Sequence, residues 1–153
     1  SYMVLPEHLA NLYYQTLDFY SCPVPTFEQY TLAKFIDEGY FEKHINRMRL
    51  YYRRKRVTVL NILHKNLSEN ECSILESDSG LHLILNLKTS VSDNKLKKSL
   101  LEKGININML SEYYQSDKKE LQHMYILNYS NISLERFEES VKILKEIILP
   151  YIV

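Results

Sequence analysis

Leu81, Leu83, Leu85 and Leu87 stand at every second position, and that strict alternation commits the stretch to a β-strand with one apolar face. Around it the second half of the chain alternates strand and helix. Ser73 to Ser77 reads as a partner strand, hinged to Leu81–Leu87 at Asp78-Ser79-Gly80. Ser92 stands where it can cap a helix from Asp93 to Lys103 that Gly104 ends. Ile105 to Met109 and Tyr125 to Tyr129 read as two further short strands. Ser133 precedes a final helix whose Leu134, Phe137, Val141, Leu144 and Ile148 form one apolar stripe. These elements predict a small α/β layer, sheet on one side and helices on the other.

The first half is helical. Tyr2 to Leu5 is an apolar, strand-like run, and Pro6 follows at a plausible first helical position. Glu7 to Phe19 has helical spacing through Leu9, Leu12, Tyr13 and Leu17, and Pro23 and Pro25 stop it by forcing extended geometry on the residues before them. Thr26 with Gln29 has the spacing of a capping box for a helix to about Glu38, closed by Gly39. From Phe41 to Asn66, the residues Phe41, Ile45, Met48, Tyr52, Val59 and Leu63 keep roughly one face of a long helix. The expected architecture is an α/β two-layer subdomain on a long helical stem.

With 153 residues, 45% of them hydrophobic, the chain can bury a real core. Its 19 basic and 19 acidic residues balance, so no global field draws it to nucleic acid or to an anionic membrane. Cys22 and Cys72 lie far apart, without metal-ligand spacing, and read as reduced thiols of a cytosolic protein. No apolar run approaches the length of a bilayer span.

The phrases "YMVLPEHL", "SCPVPTFEQYTLAKFIDEGYFEKHINRMRLYYRRKR", "GLHLILNL" and "ILNYSNIS" occur in that order along nearly the whole chain. In order and spacing they resemble successive landmarks of the aminotransferase-like domain of MocR-type (GntR family) transcription regulators. The resemblance implies the C-terminal part of a pyridoxal-phosphate (PLP) dependent, class I/II aminotransferase-like fold: residues 1–40 a remnant of the large cofactor domain with a leftover strand, 41–67 an interdomain stem helix, and 68–153 the small α/β subdomain. In that family the cofactor lysine and the phosphate-binding arginine lie just before the "YMVLP" strand, and the DNA-binding winged helix lies further upstream. PLP is therefore expected in the intact protein and not in this chain alone, and DNA binding only through the upstream module. A homodimer, a small amino-compound effector, a cytoplasmic location and no membrane association are expected with it.

Two family positions carry over. The loop at Tyr20, Ser21 and Cys22 matches the segment that approaches the partner subunit's cofactor site in dimeric relatives. In "YILNYSNIS", Ile126 falls where true aminotransferases place the arginine that binds the substrate carboxylate. An aliphatic side chain cannot make that bidentate, charge-assisted pair, which favours a sensor over an enzyme. The alternative is the small domain of a working class I/II aminotransferase.

Other constellations weigh less. Arg47, Arg49, Arg53, Arg54, Lys55 and Arg56 form the main basic cluster. They could bind phosphates, but they spread around the helix and read more simply as a solvated face. His8, His44, His64, His82 and His123 show no i, i+4 pairing of a zinc site. Of these, His82 in "GLHL" stands where the small domain of relatives faces the active-site cleft, against the simpler reading of a residue on the polar face of an alternating strand. Ser21 and Cys22 lack any nucleophile motif.

Overall fold

In a computed structural model of the chain, residues 3–17, 19, 23–75, 80–115 and 119–152 are described. Helix α1 is Glu7–Leu17, α2 Thr26–Asp37 and α3 Tyr40–Asn66; then follow strands β1 (Cys72–Leu75) and β2 (His82–Leu87), helix α4 (Asp93–Glu102), strands β3 (Asn108–Met109) and β4 (Met124–Asn128), and helix α5 (Leu134–Ile148). The chain falls into two units, Ser1–Asn46 and Arg47–Val153, divided within α3.

The second unit holds the core. Its sheet has the order β1-β2-β4-β3 with every pair antiparallel. The leucine alternation does what its period requires: Leu83, Leu85 and Leu87 are buried, while His82, Ile84 and Asn86 point the other way. Leu81 falls outside β2 and is exposed. Tyr125 of β4, Val59 and Leu63 of α3, Leu96 and Leu100 of α4, and Phe137, Val141, Leu144 and Ile148 of α5 join the leucines in one cluster. Helices α3, α4 and α5 thus cover one sheet face, and none of their buried side chains is drawn to the other.

Local detail departs from the sequence reading where side chains were expected to cap. Pro25, not Thr26, holds the N-cap of α2, because its φ of −55° already sets the entry. Thr26 becomes the first helical residue, and the Gln29 amide donates to the Val24 carbonyl at 2.9 Å. Ser92 and Ser133 do occupy N-cap positions, yet neither makes a side-chain cap bond. Gly39 and Gly104 end α2 and α4 with φ near +75° (+74° and +75°), a conformation that costs glycine nothing.

Strand limits moved as well. β1 begins at Cys72 and residues 76–79, with the Asp78-Ser79 part of the hinge, lie outside the described residues. β3 is confined to Asn108–Met109, because the Ile105 N–H closes α4 by donating to Leu100 and Ile107 is drawn into the core. Tyr129 continues past β4: its N–H donates to Leu81 and its hydroxyl to the Gly80 carbonyl at 2.6 Å.

The first unit comprises α1, α2 and the start of α3. The expected strand from Tyr2 to Leu5 is corrected: Met3 to Pro6 forms no regular element, for no described strand pairs with it to complete a ladder. Among the described residues of this unit no side chain is buried. Phe27, Tyr30, Leu12 and Tyr14 are well exposed. Met3, Leu5, Tyr13, Tyr14, Leu32 and Ile36 are among those lining an apolar groove of about 730 Å³ within it.

Candidate functional site

Strand register decides which residues share the uncovered sheet face. β2 and β4 pair His82 with Asn128, Ile84 with Ile126 and Asn86 with Met124. Leu75 of β1 lies opposite Ile84, Ser73 opposite Asn86, and Asn108 of β3 opposite Ile126. Because directly paired residues project to the same side, these nine side chains form one surface. Leu75, His82, Asn108 and Asn128 on it are exposed, and Ile84, Asn86, Met124 and Ile126 half-buried. The structure therefore brings together two residues singled out in the sequence, His82 and Ile126, on neighbouring strands of one face.

The face is an apolar pair with a polar rim. Ile84 and Ile126 sit side by side at its centre, with Asn86, Asn108, Asn128 and His82 around them. Asn128 is oriented locally: its Oδ1 accepts from the Ser130 N–H at 2.9 Å and the Ser130 hydroxyl at 2.7 Å, leaving its amide N–H groups to donate. Among the nine residues there is no lysine, arginine, aspartate or glutamate. Lys88, just past β2, is committed to the Glu69 carbonyl at 2.7 Å.

A second polar cluster sits at the start of α4, and the sequence reading missed it. The Tyr125 hydroxyl donates to Asp93 Oδ1 at 2.6 Å. The His123 N–H lies 3.2 Å from both Asp93 carboxylate oxygens, and His123 Nδ1 is 3.0 Å from Oδ1, an ion pair when the ring is protonated. His123 adopts a φ of +61°, which turns its N–H toward the carboxylate. Burial first, then the bond to Asp93 and its charge, push the Tyr125 phenol far above its ordinary range. A signal existed: Tyr125 lies on the core-facing parity of β4, and a buried tyrosine hydroxyl needs a partner. This cluster opens on a polar cleft of about 430 Å³ shared with Ser90, Ser92, Ser111 and Gln122.

The basic stretch of α3 divides. Arg47, Arg49, Arg53 and Arg54 are exposed, as a solvated face requires. Lys55 is buried instead, and its Nζ donates to the Ser130 carbonyl at 2.9 Å. Its place four residues before Val59 and eight before Leu63 puts it on the buried stripe. Another buried charge, Glu71, is held by Lys145 at 3.1 Å and by the Ser68 N–H at 2.7 Å and hydroxyl at 2.9 Å. Burial opposes its ionisation, but these partners outweigh it and keep the carboxyl below its ordinary range.

Tyr20, Ser21 and Cys22 lie outside the described residues. No group of three metal-ligating side chains occurs among the described residues, and no described helix is long and apolar enough to cross a membrane.

Comparison with known proteins places this arrangement. The chain is 32% identical over 145 residues, 95% of its length, to the uncharacterised HTH-type transcriptional regulator YdeL of Bacillus subtilis (strain 168), of which it covers 31%. It is 26% identical over 149 residues to the probable rhizopine catabolism regulatory protein MocR of Rhizobium meliloti, covering 97% of this chain and 29% of that protein. The chain is thus similar over nearly its whole length to HTH-type and MocR transcriptional regulators. It spans about a third of the length of the curated regulators it matches. No family model matches the sequence. Its fold is that of the aminotransferases. It superposes on LysN, the α-aminoadipate aminotransferase of Thermus thermophilus, with a TM-score of 0.71 at 20% identity, covering 95% of this chain and 36% of that one. An archaeal alanine:glyoxylate aminotransferase gives 0.71 at 22% identity, with 97% and 36% covered. The chain therefore has an aminotransferase-like α/β layer, and the face bearing His82 and Ile126 is a face of that layer.

Proposed function

We propose that this chain is the C-terminal part of the aminotransferase-like effector domain of a PLP-dependent, MocR-type transcriptional regulator, and that the uncovered sheet face is its ligand-facing surface. The observation that carries the reading is Ile126: it lies at the centre of that face, at the position the family resemblance gives to a carboxylate-binding arginine. Without a guanidinium the surface is suited to sensing a small amino compound rather than to anchoring an amino acid for transamination. Similarity to regulators over 95% and 97% of the chain supports the same direction.

In this reading residues 1–40 belong to the large cofactor domain, 41–67 to the stem and 68–153 to the small subdomain. PLP and its lysine, and the DNA-binding module, are supplied by other parts of the regulator, which works in the cytoplasm. Tyr20, Ser21 and Cys22 contact the partner subunit's cofactor site in a homodimer. The exposed apolar side chains of the first unit support such association, since large apolar patches are uncommon on monomers. Ligand binding shifts the small subdomain by hinge or shear motion.

The test uses the full-length regulator. DNA affinity is measured against amino-compound concentration, and transamination is followed in the same preparation. A ligand-dependent change in DNA affinity without steady turnover is expected. Steady transamination with no DNA binding would overturn the reading in favour of a working class I/II aminotransferase.

A further inference from the structure

Arginine is distributed unevenly along this chain. Five of its six arginines fall between Arg47 and Arg56, and only Arg136 stands elsewhere. From Arg47 to Asn66 no acidic residue interrupts α3, although the chain as a whole is balanced. The expected spread of charge around the helix narrows in the structure. Lys55, Val59 and Leu63 mark the buried side. At about 100° per residue, the exposed Arg47, Arg49, Arg53 and Arg54 fall within an arc of about 160° on the opposite side. Among the described residues none of these four guanidinium groups has a carboxylate or hydrogen-bond partner, whereas Lys34, Lys65, Lys97, Lys142 and Lys145 each pair with a glutamate. Arg49 and Arg53, one turn apart, carry like charge and repel.

We propose that the outer side of α3 between Arg47 and Arg54 is a second DNA contact of the regulator, one that binds the phosphate backbone without reading sequence. It rests on the reading of the chain as part of a DNA-binding regulator. A guanidinium forks onto two phosphate oxygens at once, which an ammonium cannot do, so arginine gathered in a chain otherwise served by lysine fits phosphodiesters. Arg47 and Arg54 stand about 10.5 Å apart along the helix. A DNA strand carries a phosphate for every advance of about 3.4 Å along its axis, so the row reaches several phosphates of one backbone. Leu50 and Val57 lie between the arginine rows and are shorter than the guanidinium arms that flank them. Duplex held by the upstream module is present at high effective concentration for this helix, so weak individual contacts suffice. A carboxylate-bearing protein surface accepts the same forks but has neither the regular spacing nor the tether.

The experiment titrates the full-length regulator against a long, mixed-sequence DNA duplex from about 50 to 200 mM salt, following the fluorescence anisotropy of labelled DNA. Each phosphate contact adds about 0.9 to the slope of log affinity against log salt. The fourfold variant Arg47→Gln, Arg49→Gln, Arg53→Gln, Arg54→Gln is expected to flatten that slope by about 2 or more and to weaken binding at least about tenfold at the low-salt end. Arg53→Gln with Arg54→Gln alone is expected to give roughly half the change in slope, and answers the question if the fourfold variant misfolds. An unaltered slope in a variant that keeps its wild-type circular dichroism and melting temperature would overturn the inference while DNA binding through the upstream module stands. So would a weaker dimer at unaltered slope, which assigns the arginines to a carboxylate surface of a protein partner. Wild-type protein that binds no duplex even at about 50 mM salt removes the regulator reading and the proposal with it.

Discussion

Removing one oxygen atom tests whether the cluster at the start of α4 holds the layer together. In Tyr125→Phe the ring stays in its fully buried place, while the 2.6 Å bond to Asp93 is lost. A hydrogen bond to a charged group contributes about 1.5–3 kcal/mol. Asp93 keeps the His123 N–H and ring nitrogen nearby, so its carboxylate is not orphaned, and the low end applies: about 1.5 kcal/mol. For a domain of about 100 residues, that lowers the melting temperature by roughly 6–12 °C. Urea unfolding at pH 7 should give a lower midpoint with an unchanged slope. The pH dependence adds a signature. Because the folded-state pKa of Tyr125 is raised above its ordinary value of 10.0, its contribution is fully present below pH 10 and is lost as pH climbs further. The gap between wild type and variant should therefore narrow above about pH 10. A loss under about 0.5 kcal/mol at pH 7, or a gap that widens in alkali, would refute the reasoning.

Lys55→Met should cost about 1 kcal/mol through the lost bond to Ser130, whereas Arg53→Gln with Arg54→Gln should change stability by under about 0.5 kcal/mol; paired denaturant titrations separate the two. Glu71 has a lowered folded-state pKa, so its contribution is present above its ordinary 4.5 and lost as pH falls through the folded value. Glu71→Gln should accordingly destabilise the protein at pH 7 and flatten its acid unfolding curve. Burial, and secondarily the charge of Glu71, push the Cys72 thiol up to about 11, so iodoacetamide at pH 8 should label Cys72 only after unfolding, as peptide mass mapping will show.

Periodicity carried much of the fold into the sequence. The alternating leucines, the stripe of α5 and the long α3 each repeat one physical demand many times, so a single misread residue does not erase the signal. Caps and short strands depend on one or two groups, and there the reading slipped. Pro25 displaced Thr26, and helix closure and core packing shortened β3. Of the site, the shared face of His82 and Ile126 needed register, which links strands that lie 44 positions apart along the sequence numbering. Asp93 and Tyr125 were hidden for the same reason: their bond spans 32 residues. Lys55 was legible from its spacing to Val59 and was passed over because it stands in a run of arginines.

The described residues up to Asn46 have secondary structure without an interior. Helices of 11 and 12 residues are marginal by themselves in water, and with no buried side chain among the described residues, little in this unit holds them shut. Amide protons in α1 and α2 should then exchange through openings of small free energy, while those of β2 and β4 wait for global unfolding. Any surface that settles onto α1 and α2 will slow that exchange in proportion to its own affinity. The first unit is thus a gauge: its protection factors report how firmly a neighbour is docked, and they do so before any change is visible in the layer that follows.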